Sequence, residues 1–344
     1  MEEQKRTEIS ALGEFRLIDY LTKNFEINRT STILGIGDDA AVIDNFGRQT
    51  LVSTDLFIEN VHFDLMYTPL KHLGYKVVTA SISDICGMNG QPTQITVAIA
   101  VSNRFSVEAI EELYEGIFAA CEHYQIDLVG GDTTASEKGL VISITALGEV
   151  APDKFIKRKG AQKGDLICVS GDLGAAYLGM QLLEREKKIF LENPGVQPDL
   201  ENRKYVVGRF LKPEARVDIV DWLEKQEITP TSMMDISDGL SSELFHICKA
   251  SEVGCKIHED KIPFNGEMRE LAYQFQIDAT ACALNGGEDY ELLFTVKQED
   301  YDKIRFSEQI SVVGYITEAS EGKKLVTKKG NEYDLEAQGW IHFK

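Results

Sequence analysis

The chain has 344 residues, room for roughly two domains of ordinary size, and its 43 % hydrophobic and 27 % charged content excludes a disordered, collagen-like or coiled-coil protein. Its formal net charge is −20. A surface that acidic repels phosphate backbones and anionic lipid, so neither nucleic acid nor a membrane is expected as a partner. Any phosphorylated small molecule bound here needs a cation to screen it.

No apolar run reaches the roughly 18 residues of a membrane span, and the charged start Met1–Arg6 lacks the apolar stretch of a signal peptide. Six scattered cysteines with no CxxC read as reduced core residues rather than a disulfide frame or a zinc site. A cytoplasmic protein is expected.

In chain order, residues 14–25 have helical periodicity, with Leu17, Ile18, Leu21 and Phe25 on one side. The segment that follows reads as a hairpin with a turn at Asn45-Phe-Gly47. A long helix is predicted over 69–89, a strand over 93–101, a helix over 106–124 with Ser106 as N-cap, and two strands in IDLVGGDTT and GLVISITALGEV. This first α/β unit ends near residue 150. A polar stretch follows, then strand LICVSG, a helix over 172–187, a loop near Asn193-Pro-Gly195, and helices near 201–211 and 214–226. Strand SMMDIS leads into a helix over 239–250, with more β in DYELLFTV and ISVVGYITE. The expected fold is α/β in 1–150 and α+β in 151–344.

The informative feature is a set of acidic turns: GIGDDAAV (35–42), STD (53–55), SISDICGMNG (81–90), GGDTT (130–134), DISDGL (235–240) and GGEDYEL (286–292). Carboxylates and hydroxyls at strand ends are hard oxygen ligands, and glycine admits a phosphate close to the backbone. Any one of them alone reads as a solvated turn or a helix cap. In the helix over 69–89, Asp84 falls in line with Leu73, Val77, Ala80 and Met88, so it is either buried with a partner or facing a cleft. The alternative is an edge position, because Ile82 and Ile85 define a different face. Asp238 could simply cap the helix that begins at Gly239, whereas Asp235 has no such explanation. An EF-hand is excluded, since the twelfth position from Asp235 is His246.

Converging carboxylates repel by roughly 4 kcal/mol per pair at 4 Å and an effective dielectric near 20, so a cluster of them requires cations. Oxygen-only ligands favour Mg²⁺, which completes its shell with water and substrate phosphates. Gly35-Ile-Gly37-Asp-Asp-Ala40 imitates a dinucleotide fingerprint, but two aspartates stand where pyrophosphate would rest and a hairpin follows in place of a helix. There is no P-loop and no protein-kinase motif set.

Taken together, GEFxLI, GIGDDAA, STD with a following His, SDI, GGDTT, RKGA, DISDGL and GGEDYEL appear in the order found in the thiamine-monophosphate kinases, which the chain resembles over nearly its whole length. That family shares a superfamily with aminoimidazole ribonucleotide synthetase and selenophosphate synthetase. The resemblance implies transfer of the ATP γ-phosphoryl group onto thiamine monophosphate, several Mg²⁺ ions, and a homodimer whose N-terminal sheets join. It implies metal ligation by Asp39, Ser53, Thr54, Asp55, Asp84, Asp132, Asp235 and Asp238, with Asp84, Asp235 and Asp238 at the centre of catalysis. Nucleotide contacts fall on Gly131, Asp132, Arg158 and Ser237, and acceptor contacts on His62, Glu288 and Trp340. Trp340 suits a cationic thiazolium, although a C-terminal core anchor is an equal reading. One departure is Cys86-Gly-Met-Asn89, where the family commonly has Ala-Met-Gly; it alters packing beneath the site. The alternatives are another ATP-dependent member of the superfamily, a Mg²⁺-dependent phosphatase, or a non-enzymatic metal or nucleotide sensor.

Overall fold

A computed structural model describes residues 32–34, 38–45 and 47–337. The helix predicted over 14–25 and Trp340 lie outside the described residues. Two mixed sheets carry the architecture, one of six strands ordered β1-β2-β3-β6-β4-β5 and one of seven ordered β13-β12-β9-β11-β7-β10-β8.

The first sheet comprises β1 (Thr32–Leu34), β2 (Ala41–Asn45), β3 (Arg48–Ile58), β4 (Gln91–Val101), β5 (Asp127–Ala135) and β6 (Leu140–Val150). The expected hairpin is β2–β3, with Asn45 opposite Arg48 and Gly47 at φ +96°. A strand after GIGDDA, where a dinucleotide fold requires a helix, removes the fingerprint reading. β6 alternates buried and half-buried residues along its length, turning Leu140, Ile142, Ile144 and Ala146 into the core. β5 runs parallel to β4 at the sheet edge and is largely exposed. The helix α2 (Val107–Tyr124) begins where expected, its amide of Ala109 bonded to Ser106 Oγ at 3.2 Å.

The second sheet comprises β7 (Leu166–Ser170), β8 (Ser232–Ile236), β9 (Val253–His258), β10 (Glu291–Val296), β11 (Ile310–Glu318), β12 (Lys323–Val326) and β13 (Glu332–Asp334). Its interior strand β10 is buried at every residue between antiparallel β7 and β8. Around it run α3 (Ala175–Glu192), α4 (Lys204–Leu211), α5 (Val217–Lys225), α6 (Leu240–Ser251), α7 (Gly266–Phe275) and α8 (Ala279–Asn285). α3 starts three residues later than the periodicity indicates because Gly174, at φ +81°, holds a left-handed conformation foreign to a helix, and it continues to Glu192.

One helix joins the two layers. α1 (Leu70–Gly87) lies against β3, β4 and β6 and also reaches β8 and β10. The apolar stripe through Leu73 and Val77 is buried, but so is the face carrying Ile82 and Ile85. Both faces are buried because this helix is enclosed nearly all round, as expected of one packed between layers.

Candidate active site

The C-terminal end of α1 organises the site. Met88 accepts the Ala40 amide on its Sδ at 3.0 Å, and its carbonyl accepts the Ile156 amide at 3.1 Å. These contacts fix the loop bearing Asp39 and the segment bearing Arg158. At Gly87 an added Cβ would stand 2.9 Å from the Asp235 amide and 3.0 Å from Asp39 Oδ2. The departure from the family's Ala-Met-Gly thus lies directly beneath the acids. Cys86 is fully buried, and Asn89 takes φ +62° and donates from Nδ2 to the Lys154 carbonyl at 3.1 Å.

Three acids from three separate elements converge: carboxylate oxygens of Asp39, Asp84 and Asp235 lie within 4.8 Å of one another. Each is held by a neighbour. Ser53 Oγ donates to Asp84, Ser83 Oγ donates to Asp235 Oδ2 at 2.7 Å, and the Arg158 guanidinium binds Asp39 Oδ1, with Nε at 2.7 Å. The Arg158 amide also donates to Asp38 Oδ1 at 3.1 Å.

Burial raises the pKa of every acid in this group. Asp39 is pushed up to about 7 by desolvation, with Asp235 and Asp38 adding to it and Arg158 opposing. Asp235 rises to about 6 by desolvation, opposed by Ser83 and Arg158. Asp84 lies well above the carboxylate range through desolvation and the charges of Asp55, Asp235 and Asp39, and Asp55 is raised mainly by its own desolvation. Such a group calls for positive charge.

A divalent cation fits these residues. Asp39 Oδ2 is buried without a hydrogen-bond partner, and the donors around it are all hard oxygens.

The other described residues singled out by sequence do not all join this centre. Asp55 and Ser53 point to the same side of β3, as the two-residue strand period requires, whereas Thr54 is exposed on the opposite side and bonded to Thr145 Oγ1 at 2.9 Å. Gly131 and Asp132 lie exposed on β5; Asp132 accepts the Thr133 amide at 2.9 Å and is not among the clustered acids. Gly131 has a structural reason as well, since a Cβ there would collide with the Val97 carbonyl. Ser237 is exposed in the turn between β8 and α6, its carbonyl accepting the Glu288 amide at 2.7 Å. The capping explanation for Asp238 fails. Gly239, at φ +112°, holds the N-cap position, and the Asp238 amide donates to Glu243 Oε1 at 2.9 Å. His62 closes a turn, its Nδ1 accepting the Ile58 amide at 2.9 Å. Glu288 pairs with Lys76 on α1.

Ser83, Asp38 and Lys76 were missed from sequence. A serine and a lysine inside an otherwise buried helix were the available signal.

Residues 37–150 match the family model described as AIR synthase related protein, N-terminal domain. The acid-bearing β2–β3 and α1 region therefore belongs to the AIR synthase-related class. The thiamine-monophosphate kinase of Bacillus subtilis (strain 168) is 32 % identical over 339 residues, covering 97 % of this chain and 100 % of that one. That of Aquifex aeolicus (strain VF5) is 33 % identical over 335 residues, covering 97 % and 99 %. A solved structure described as AaThiL complexed with AMPPCP and TMP superposes with a TM-score of 0.82 at 30 % identity, over 98 % of this chain and 99 % of its own. The chain belongs to the thiamine-monophosphate kinase family. Among the described residues no helix is long and apolar enough to cross a membrane, and all six cysteines are free and buried.

Proposed function

We propose that the protein transfers the γ-phosphoryl group of ATP to the phosphate of thiamine monophosphate, yielding thiamine diphosphate and ADP. The observation that carries this reading is the convergence of Asp39, Asp84 and Asp235, within a chain similar over its whole length to thiamine-monophosphate kinases. A relative of the same fold was solved with AMPPCP and TMP, an ATP analogue and the acceptor under this reading.

The acceptor oxygen of a phosphate is already ionised at neutral pH, so no general base is needed and transfer is in line, without a covalent intermediate. Protein groups then act by positioning and charge neutralisation. Asp39, Ser53, Asp55, Asp84 and Asp235, oriented by Ser83 and Arg158, would hold Mg²⁺, and Thr54, Asp132 and Asp238 are assigned to the metal as well. When bound, Mg²⁺ supplies the positive charge that lets two phosphorylated molecules approach each other. Arg158, beside Asp39, is the cation assigned to the phosphates. Gly131, Asp132 and Ser237 are assigned to ATP, and His62, Glu288 and Trp340 to the acceptor.

We assign residues 1–150 to an ATP- and Mg²⁺-binding, dimer-forming domain and 151–344 to the domain that completes the site. The exposed edge of β5, beside an apolar groove lined by Val101, Val107, Ile110 and Phe118, supports pairing with a second copy. The deciding experiment is a product assay with ATP and thiamine monophosphate, with and without Mg²⁺. Thiamine diphosphate should form only when all three are present. Free phosphate from the monophosphate without ATP would instead identify a phosphatase.

A further inference from the structure

Lys76 is a residue the reaction as described does not use. It lies in the middle of α1 with only 4 % of its surface exposed. Its ammonium makes an ion pair with Glu288 and sits 3.7 Å from the centroid of the Phe210 ring. Seven residues separate it from Ser83 and eight from Asp84, so it occupies nearly the same helix face, roughly 10 Å along the axis from the acid cluster.

Glu288 is held at both ends. Its backbone is at φ +64°, Gly287 is at φ +70° and Tyr290 at φ +51°, a left-handed conformation that non-glycine residues adopt at a cost. Two backbone bonds secure this segment to the end of β8 and the turn after it: Glu288 N to Ser237 O at 2.7 Å and Tyr290 N to Ile236 O at 2.9 Å. Lys76 secures the side chain. The ion pair thus ties the helix bearing Asp84 to a loop that is hydrogen-bonded to the end of β8, next to Asp235.

An ion pair with a buried partner contributes little net stability compared with packed apolar side chains, because here the Lys76 ammonium loses its water while the Glu288 side chain stays partly exposed. Its distinguishing property is direction. A glutamate side chain has three rotatable bonds, and a fixed ammonium over an aromatic face selects one arrangement of them. We propose that Lys76 is a positioning residue for the acceptor: it fixes the Glu288 carboxylate where it meets the positively charged thiamine moiety. This rests on the proposed reading, in which the acceptor is thiamine monophosphate and Glu288 contacts it.

The test compares wild type with Lys76→Met, Lys76→Arg, Glu288→Gln and the double variant Lys76→Met/Glu288→Gln. Calorimetry in Mg²⁺ gives Kd for thiamine monophosphate, steady-state kinetics give KM for both substrates and kcat, and thermal melts report folding. Lys76→Met should weaken thiamine monophosphate about tenfold, equivalent to about 1.4 kcal/mol, while KM for ATP stays within about twofold. Lys76→Arg should recover part of the loss. Because Lys76 acts through Glu288, adding Lys76→Met to Glu288→Gln should change acceptor affinity no further, even though the double variant, with no charge left unpaired, melts near wild type. Unchanged acceptor affinity in a folded Lys76→Met protein would overturn the proposal. So would additive losses in the double variant, or recovery of affinity together with melting temperature, which marks a purely structural pair. If Lys76→Met does not fold, the comparison of Glu288→Gln with the double variant decides alone. Absence of wild-type turnover would defeat the kinase reading separately, and the calorimetric Kd would still read the effect of Lys76.

Discussion

Replacing Asp84 by asparagine should move stability and activity in opposite directions. Asp84 stands with carboxylate oxygens of Asp39 and Asp235 within 4.8 Å. At an effective dielectric near 20, each such pair of full charges costs about 3 kcal/mol. Partial protonation relieves some of that, since desolvation and the neighbouring acids hold the pKa of Asp84 itself well above the carboxylate range. Removing the third charge should therefore stabilise the metal-free protein by about 1–3 kcal/mol at pH 8, a rise of a few degrees in Tm. The same change removes a ligand from the cation site. Turnover should fall by about a hundredfold or more, the equivalent of losing about 3 kcal/mol of transition-state stabilisation. The assay is a pair of thermal melts, one in EDTA and one in excess Mg²⁺, alongside the thiamine diphosphate assay. Wild type should gain stability from Mg²⁺, and Asp84→Asn should gain much less. A variant that melts lower than wild type in EDTA, yet keeps both its Mg²⁺-dependent gain and its turnover, would refute the assignment of these acids to a cation.

The pH dependence follows from the same charges. The folded-state pKa of Asp39 and Asp235 lies above the ordinary 3.8, so the folded protein binds protons that the unfolded chain has released. Their contribution to stability is whole below about pH 4 and is lost as pH rises through 6 to 7; in EDTA, the wild-type melting temperature relative to that of Asp235→Asn should fall over this window, and Mg²⁺ should flatten the difference. Ser83→Ala removes a 2.7 Å hydrogen bond to Asp235, worth about 1.5–3 kcal/mol to a charged acceptor; the Mg²⁺ concentration for half-maximal rate should rise about tenfold, and an unchanged requirement would separate Ser83 from the site. Arg216→Met leaves the buried Glu291 carboxylate with Arg209 at 2.8 Å and Ser170 at 2.5 Å but without its second guanidinium. Urea unfolding should show a loss of about 3 kcal/mol with little change in KM for ATP.

Much of the molecule was legible from local pattern. The β2–β3 hairpin and the Ser106 cap follow from rules that act over a few residues, and the structure keeps them. The inward direction of Ser53 and Asp55 and the outward direction of Thr54 were also available, from strand alternation alone. β9, α7 and α8 were less visible. Each is short, and their start signals, such as the Asn265 and Asp278 side chains that accept the Glu267 and Thr280 amides at 2.8 and 2.9 Å, are single residues in a polar stretch.

By itself the sequence determined the inventory of the site: acidic turns rich in glycine and hydroxyl groups, a strongly negative chain, and motifs in the order of one kinase family. Those properties depend on residue type and spacing along the chain. The tertiary structure alone decided which acids meet. Asp39, Asp84 and Asp235 are brought together because α1 is buried between two sheets and ends against both of their acid-bearing turns, while Asp132 remains on an exposed edge strand. It also decided that Lys76 meets Glu288, a contact between distant parts of the chain that no local period encodes. Convergence of charge depends on how layers pack, and packing is set by the summed burial of the whole core rather than by any one motif.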